Sequence, residues 1–377
     1  MPEILNPIPK STLKSDQMFV NLGPQHPSTH GVLRLGLIME GEIIIKVEPD
    51  VGYLHRGTEK LGEIRGYHHC IVISDRWDYV SAMSNNLVFC LAAEKLMALE
   101  IPERANHLRV LMCELNRIAS HLLFFGTYGI DLGAFTAFLH AFREREMILD
   151  LFEMCSGARM TYNYIRLGGV MQDLPKGWIE KCREFLIYFK QRLPDYDDLL
   201  SFNPIFLDRT KTIGLISKEK ALAWGLSGPN LRASGVDYDA RTFEPYASYS
   251  QYKIRVPLGE SGSCWDRYYC RVQEIGVSVE IVEQALEMLQ DGPIMGKGVA
   301  EVPKPLPGEA YAHIEAPRGD LGIYLVSDGN ASPYRMHVRA PSFINLQILQ
   351  DILPGQRLSD VIAVLGSIDI VLGEVDR

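Results

Sequence analysis

The sequence predicts an α+β protein that is predominantly helical. Apolar residues recur at helical spacing through the central chain, and short stretches of alternating polar and apolar residues stand before and after it. A segment rich in proline and glycine precedes the last of these stretches. We therefore predict five regions: an N-terminal arm at 1–17, an α+β region with a β-hairpin at 18–75, a helical bundle at 76–291, a linker at 292–308 and an α+β region at 309–377.

The hairpin is predicted from the alternation that runs from Phe19 to Val47. Glu40, Gly41 and Glu42 supply a turn between two strands at 33–37 and 43–47. The residues before it, 1–17, are polar and lack an apolar core, so they do not resemble a secretory signal. We interpret them as a mobile arm or a tail that grips a partner.

Several long helices are predicted between Tyr79 and Lys190, where the hydrophobic period changes to three and four. One helical face is formed by Leu108, Leu111, Met112, Leu115, Ile118, Ala119 and Leu122. A later one is formed by Trp265, Tyr268, Tyr269, Val272, Ile275, Val279, Val282, Leu286 and Leu289. Gly292 and Pro293 are expected to end this later helix.

The region after the linker is predicted to contain strands followed by helices. Alternating residues indicate strands at 311–315, 322–327 and 335–338, with a turn at Asp328 and Gly329. Helices are expected after Pro341 and after Gln356.

Composition and charge exclude several classes of function. The formal net charge of −9 and the pI of about 5.6 argue against sequence-independent, electrostatic binding to nucleic acid or to anionic lipid. No run reaches the roughly 18 uncharged apolar residues of a spanning helix, so membrane association is expected through protein partners. Neither a phosphate-binding G-x-x-x-x-G-K-[ST] loop nor a strand-borne G-x-G-x-x-G is present, so neither ATP nor NADH is an expected direct ligand.

The seven cysteines are scattered, and no two form a C-x-x-C pair. This pattern favours buried, reduced thiols and argues against a zinc or iron–sulfur centre held by this chain alone.

His26 and His30 lie four residues apart in a segment that Pro27 and flanking glycines keep from being helical. With no third ligand nearby, a metal site is disfavoured. Two interpretations stay open: a structural pair of loop histidines, or a ligand-facing role for at least one of them.

The cluster DRWDY at 75–79 precedes a helical segment. Its plainest interpretation is a helix start, with an aspartate at the N-cap and local ion pairs. Alternatively Tyr79, at the mouth of a bundle, donates its hydroxyl to a carbonyl ligand, because a pKa near ~10 keeps the proton in place.

Asp131 is the only acid in the apolar run 122–139. It is either the N-cap of the next helix or a partly buried carboxylate paired with a histidine or arginine, since an unpaired buried charge is costly. The residues themselves do not separate these two interpretations.

Two further charged sets have plainer interpretations. His107, Glu114, Arg117 and His121 are expected on the polar side of one helix, as a solvated face or as salt links within the bundle. Acids near the end, Asp369, Glu374 and Asp376, indicate a solvated or interface-bound tail.

Six motifs give the chain a specific resemblance that runs from about residue 18 to residue 377. They are GPQHPSTHGVLR at 23–34, GYLHRGTEK at 52–60, DRWDY at 75–79, ELNRIASH at 114–121, SGARM at 156–160 and GEVDR at 373–377. With them the chain resembles the D-type, quinone-binding subunits of respiratory NADH:quinone oxidoreductase, or complex I. That family is similar to the large subunit of nickel–iron hydrogenases, and EAPRGDLG at 315–322 fits this ancestry. The resemblance implies a hydrogenase-like helical bundle without the two C-x-x-C pairs that hold the hydrogenase metals.

The resemblance also implies roles for single residues. Tyr79 and His30 are expected to hydrogen-bond the two carbonyls of a quinone, Asp131 to orient or charge His30, and His26 to support them. Donors aimed at oxygens that gain negative charge stabilise the reduced quinone and supply protons. No metal is expected in this chain.

Arg56 and Thr161 are expected near an iron–sulfur cluster held by a neighbouring subunit. Many relatives have a histidine at the position of Thr161. Threonine cannot gain or lose a proton near neutral pH as histidine does. We therefore hypothesise that the potential of that cluster depends only weakly on pH.

The same resemblance implies the setting of the chain. It predicts a peripheral protein on the cytoplasmic side of the cell inner membrane, beside a cluster-bearing B-type subunit, a C-type subunit and a membrane arm. Quinone is the implied substrate, the 4Fe-4S cluster lies on the adjacent subunit, and NADH and FMN bind other subunits. No cofactor is expected on this chain alone.

Three alternatives stay open at this stage. A related enzyme fed by ferredoxin or F420H2 would use a similar chain. A nickel–iron hydrogenase subunit is disfavoured by the missing cysteine pairs. A non-catalytic scaffold of the same fold would keep turnover when Tyr79, His30 or Asp131 is changed.

Overall fold

The computed structural model describes residues 16–26 and 31–377. Most of these residues form helices, and the strands make three small antiparallel sheets, so the predicted fold class is confirmed. The arm predicted at 1–17 lies almost wholly outside the described residues.

The first sheet contains strands β1 (Gln17–Leu22), β2 (Arg34–Glu40) and β3 (Ile43–Asp50) in that order. β2 and β3 form the predicted hairpin, which turns at Gly41 with a φ of 60°. β1 adds a third strand that the hairpin prediction did not include. Leu35, Leu37 and Met39 of β2 are all buried, which explains the alternation in the sequence.

The first half of the bundle contains the longest helix of the described residues. Its elements are α1 (Thr58–Ile64), α2 (Tyr67–Ser74), α3 (Ala82–Met97), α4 (Glu103–Asp131), α5 (Phe135–Ser156), and the short strands β4 (Ile165–Arg166) and β5 (Gly169–Val170). The second half contains α6 (Trp178–Tyr196), a π-helical turn (Asp197–Ser201), α7 (Pro204–Thr210), α8 (Lys218–Ala223), α9 (Pro229–Arg232), α10 (Ala240–Phe243) and α11 (Cys264–Met288).

Helix α4 packs against both α5 and α11 and is buried along most of its 29 residues. The predicted face of α4 is confirmed, although the residues outside that face are buried as well. Helix α11 begins with a capping box in which Ser263 and Asp266 satisfy each other's backbone amides. It ends at Met288, shortly before the predicted stop.

The third sheet contains β6 (Gly308–Ala316), β7 (Gly319–Ser327) and β8 (Arg335–Arg339), which confirm the three predicted strands. It packs on the bundle through α3. The helices that follow are α12 (Pro341–Leu346), α13 (Leu349–Ile352), α14 (Val361–Ile368) and α15 (Leu372–Asp376). The division of the chain into five regions with the boundaries given above remains a prediction.

Two hydrophobic cores divide the C-terminal region between them. The sheet β6–β8 shares the large core of the bundle, whereas α13, α14 and α15 share a second core with the first sheet. The Ile44 amide donates to the carbonyl of Gln356 (2.9 Å), and the Gly355 amide donates to that of Ile44 (2.8 Å). The last segment of the chain therefore lies beside the N-terminal sheet.

No helix among the described residues has the length and apolar character that crossing a membrane requires.

Candidate functional site

Tyr79 lies in the turn between α2 and α3, with 38% of its surface exposed. Its ring lies against Gly373, because a Cβ built on that glycine would be 3.4 Å from ring atom Cε1. Burial and the Asp78 carboxylate raise the pKa of the Tyr79 hydroxyl, while Arg318 lowers it. The hydroxyl therefore keeps its proton at neutral pH and is available as a donor.

Two buried asparagines hold the backbone on either side of Tyr79. Asn85 Nδ2 donates to the carbonyl of Asp78 (2.8 Å). Asn116 on α4 donates to the carbonyl of Val80 (2.9 Å), and its side-chain oxygen accepts from the amide at 83 (3.1 Å). The position of the tyrosine is thus fixed by two helices of the bundle.

The predicted capping role of the aspartates in 75–79 is wrong. Asp75 follows the end of α2, and Ser81, which precedes α3, makes no side-chain capping bond. Asp78 instead pairs with Arg318, far along the chain, with Asp78 Oδ2 and Arg318 Nη1 2.6 Å apart. The ion pair exists, but it is tertiary rather than local.

Asp131 is the last residue of α4, so the predicted N-cap role is wrong as well. The cap position of α5 belongs to Ala134. Asp131 is half-buried, and its Oδ2 atom lies beside Gly366 of α14, 3.2 Å from where a Cβ on that glycine would be. A carboxylate at a helix C-terminus opposes the helix dipole, so local helix energetics do not explain this aspartate.

His30 lies outside the described residues, as do the other residues at 27–30. Just beyond them, Gly31 lies close to Leu372 of α15, since a Cβ on Gly31 would be 3.0 Å from Leu372 Cδ1. His26, on the other flank, lines an apolar cavity of about 550 Å³ between the first sheet and Leu358 and Ile362.

Two of the predicted site residues contact the segment 366–373, one at each end. Asp131 lies beside Gly366 and Tyr79 lies against Gly373, while Gly31, the first described residue after His30, lies close to Leu372. Two glycines in this segment allow close approach, because a Cβ on Gly373 would also come 2.7 Å from the carbonyl oxygen of residue 77. The arrangement offers a tyrosine donor and a carboxylate along one stretch of backbone.

A buried charged cluster that the sequence analysis missed lies beneath Tyr79. Arg318 pairs with Asp78 and, at 3.4 Å, with Asp369, and its guanidinium also donates to Ser120 Oγ (2.8 Å). Asp369 has a second partner in Arg271 of α11, at 3.5 Å. The EAPRGDLG motif contained Arg318, but its partners are distant in sequence.

The prediction that the last acids form a solvated or interface-bound tail is wrong. Asp369, Glu374 and Asp376 are all at most 5% exposed. The Asp376 carboxylate accepts from the amides of Gly52 (2.8 Å) and Leu54 (2.7 Å), which anchors the last segment to the loop after β3.

The four polar residues of α4 that were predicted to share one side are buried, so the solvated-face alternative is wrong and the salt-link alternative is confirmed. All four are at most 2% exposed: His107, Glu114, Arg117 and His121. Glu114 pairs with Arg241 (3.1 Å), and His121 Nε2 lies 3.0 Å from Glu274. Arg232 pairs with the same Glu274 (2.5 Å). These charges join α4 to α9, α10 and α11.

Arg56 and Thr161 both lie near the turn at Asp75 and Arg76. Arg56 donates to the Arg76 carbonyl (2.7 Å), and the backbone of Asn163, two residues after Thr161, is close enough to lower the pKa of Asp75. Burial raises the pKa of Asp75 to about 7. Thr161 has a φ of 53°, and its hydroxyl donates to the carbonyl at 160 (2.7 Å). Whether a partner's cluster approaches here stays a prediction.

All seven cysteines are free and buried, as predicted. Among residues 16–26 and 31–377, no group of three metal-ligating side chains converges.

Comparison with known proteins gives two findings. The family model described as "Respiratory-chain NADH dehydrogenase, 49 Kd subunit" matches residues 131–305 and 297–377. Proteins named as D-type subunits of NADH-quinone oxidoreductase are similar over 97% of this chain. Those of Geobacillus thermodenitrificans (54% identical), Bacillus cereus (52%) and Carboxydothermus hydrogenoformans (52%) are each covered over their full length.

Proposed function

The chain belongs to the family of the 49 kDa subunit of respiratory-chain NADH dehydrogenase, and from this premise we propose that it forms the quinone-reduction site of that enzyme. It is a peripheral-arm component of a multi-subunit NADH:quinone oxidoreductase and acts as part of that membrane-associated complex. The full-length relatives carry NADH-quinone in their names, so the ferredoxin- and F420H2-driven alternatives are not favoured.

The observation that carries the proposal is that Tyr79 and Asp131 contact the two ends of one short segment, 366–373. Quinone reduction takes up two electrons and two protons, and negative charge develops on the two carbonyl oxygens. A tyrosine hydroxyl directed at one oxygen stabilises that charge and supplies a proton. In this proposal His30 serves the other oxygen, Asp131 orients His30, and His26 supports the loop.

The electrons come from outside this chain. In this proposal the donor is a 4Fe-4S cluster of the neighbouring B-type subunit, which approaches the turn where Arg56 and the loop of Thr161 meet. NADH and FMN bind other subunits, and the C-type subunit and the membrane arm complete the set of partners. The complex translocates protons, and this chain lies on the cytoplasmic side of the inner membrane.

The test uses membranes from a strain that lacks the chromosomal copy of this chain. We expect no NADH:quinone reduction without the chain and full recovery with the wild-type chain. Asp131→Asn should restore assembly and NADH oxidation by an artificial acceptor but little quinone reduction. The matched control is Asp291→Asn, which removes a fully exposed carboxylate. Unchanged NADH:quinone reduction in the strain that lacks the chain would contradict the proposal.

A further inference from the structure

Glu374 is a fully buried carboxyl group with only part of its hydrogen-bonding capacity used. Its Oε2 atom accepts from the Ser342 amide (3.0 Å), whereas Oε1 has no hydrogen-bond partner within the described chain. A buried carboxylate anion with an unsatisfied oxygen is costly, and a neutral carboxyl group is much less so. The geometry therefore favours a protonated Glu374.

Charge balance around Glu374 leads to the same conclusion. Asp78, Asp369 and Glu374 are three buried acids, and the two guanidinium groups nearest to them belong to Arg318 and Arg271. Both arginines have direct ion-pair partners in Asp78 or Asp369, and neither forms an ion pair with Glu374. Among these five groups one acid is in excess, and Glu374 is the one without a cation in contact.

None of the remaining charged groups that the structure describes nearby forms an ion pair with Glu374. Asp376, on the same helix, is held by two backbone amides. Glu274 and Arg267 lie beyond Arg271 on α11; Glu274 pairs with Arg232, and Arg267 donates to the carbonyl of Gly214.

The pKa shifts of the buried groups agree with this assignment of charge. Burial, and then the charge of Asp78, raise the pKa of Glu374 to about 7, although Ser342 and Arg318 act in the opposite direction. Burial raises the pKa of Asp78 as well, although Arg318 acts in the opposite direction. We assign the charge to Asp78 on geometry, because Arg318 Nη1 lies 2.6 Å from its Oδ2 atom whereas Glu374 has no cation in contact. Arg271 stays charged, since burial lowers its pKa only to about 10.

Glu374 lies next to the proposed quinone donor. The preceding residue, Gly373, lies against the Tyr79 ring, and Asp78, which raises the pKa of Glu374, is the neighbour of Tyr79 in sequence. Asp78 and Arg318 act on both Glu374 and the Tyr79 hydroxyl. A proton gained or lost at Glu374 therefore changes the net charge around the buried pair that sets the electrostatics of the tyrosine.

We propose that Glu374 is a positioning residue whose bound proton keeps the cluster behind Tyr79 neutral, so that loss of this proton slows quinone reduction at alkaline pH. The inference rests on the proposed function, because it assigns a control of proton donation to the same site. An added negative charge makes the Tyr79 proton harder to release, which sets the direction of the effect.

The test is the pH profile of NADH:quinone reduction by the intact complex in membranes. For the wild type we expect a fall of several-fold between about pH 6 and about pH 8.5, and for Glu374→Gln a change of less than about twofold, because the amide stays neutral. Glu287→Gln, an exposed site on α11, is the matched control and should follow the wild type. NADH oxidation by an artificial acceptor is measured in parallel, so that steps before quinone are excluded.

A second variant keeps the test decisive if Glu374→Gln assembles poorly. Ser342→Ala removes a hydroxyl that lowers the pKa of Glu374 and leaves the Asp78–Arg318 pair intact, so the alkaline limb should move to higher pH. Unaltered profiles in both variants would overturn the proposal. So would a Glu374→Gln complex equally slow at every pH, because that result indicates a structural role.

Tyr79→Phe separates this inference from the proposed function. If Tyr79→Phe loses quinone reduction while Glu374→Gln keeps the wild-type profile, only the inference about Glu374 fails. If Tyr79→Phe keeps full quinone reduction, the proposed function fails and the inference fails with it.

Discussion

Asp78 and Arg318 form an ion pair in which Oδ2 and Nη1 are 2.6 Å apart and each side chain is 1% exposed. The pair joins the turn that presents Tyr79 to the turn between β6 and β7. Because both charges are removed from water, each depends on the other for its stability. The position of the tyrosine therefore depends on residues from the opposite end of the chain.

Arg318→Met is expected to leave Asp78 as a buried charge without its nearest cation. Breaking a buried pair from one side costs roughly 3–5 kcal/mol, so we expect less assembled complex and a lower melting temperature. Arg192→Met is the control, because Arg192 pairs with Asp195 on the surface and exposed pairs contribute only about 0–1 kcal/mol. Equal losses in the two variants would show that the buried pair has no special role.

Gly366→Ala is expected to disturb the end of α4 that carries Asp131. The new Cβ would lie 2.8 Å from Tyr128 Cδ2, so the Tyr128 ring must move, and 3.2 Å from Asp131 Oδ2, which is crowded as well. We expect quinone reduction to fall several-fold while NADH oxidation by an artificial acceptor persists. The control is Gly276→Ala in α11, where the new Cβ has no atom within 4 Å. This substitution should stabilise the helix by about 0.5–1 kcal/mol. Full quinone reduction with Gly366→Ala would remove Asp131 from the site.

Thr161→His is expected to make the potential of the neighbouring cluster more dependent on pH. A histidine that binds a proton more tightly when the cluster is reduced raises the potential as the pH falls, which threonine does not do. The backbone accepts the change, since Thr161 has a positive φ that histidine and asparagine adopt more readily than β-branched residues. Redox titrations at several pH values should give a steep slope for histidine and shallow slopes for the wild type and Thr161→Asn. An equally steep slope in the wild type would refute the hypothesis.

Asp75→Asn is expected to stabilise the complex at alkaline pH. Burial raises the pKa of Asp75 to about 7, whereas an unfolded aspartate titrates near ~3.9. Between these two pH values the folded chain binds more protons than the unfolded chain. The free energy of unfolding therefore falls as the pH rises through this window, and it stays lowered at higher pH. The melting temperature of the variant should exceed that of the wild type at about pH 8 but not at about pH 4. The surface variant Asp198→Asn should shift neither value, and an equal shift at both pH values for Asp75→Asn would contradict this account.

Local sequence patterns predicted the parts of the fold that local forces determine. Alternation located β2 and β3 because one face of that hairpin is buried, and helical spacing located α11, which carries its own capping box at Ser263. The strands β6, β7 and β8 were predicted for the same reason.

Charged residues were predicted less well, because their partners lie far away in sequence. The sequence is consistent with Glu114 on a solvated helix face, but in the structure Glu114 is buried beside Arg241. Glu374 was predicted to belong to a tail, but α15 packs against the turn at 75–79. Asp131 was a candidate N-cap because the local sequence does not show whether it ends α4 or begins α5; in the structure it ends α4. Tertiary ion pairs, rather than propensity, decide these positions.

Replacing Tyr79 with Phe is the decisive test of the proposal that the Tyr79 hydroxyl donates to the quinone. The phenyl ring preserves the packing against Gly373 and deletes one hydrogen-bond donor. The control is Tyr334→Phe, at a tyrosine that is 68% exposed. We expect membranes with Tyr79→Phe to lose most NADH:quinone reduction but to keep both the assembled complex and NADH oxidation by an artificial acceptor. Wild-type rates in both assays would make Tyr79 a structural residue and exclude it from the quinone site.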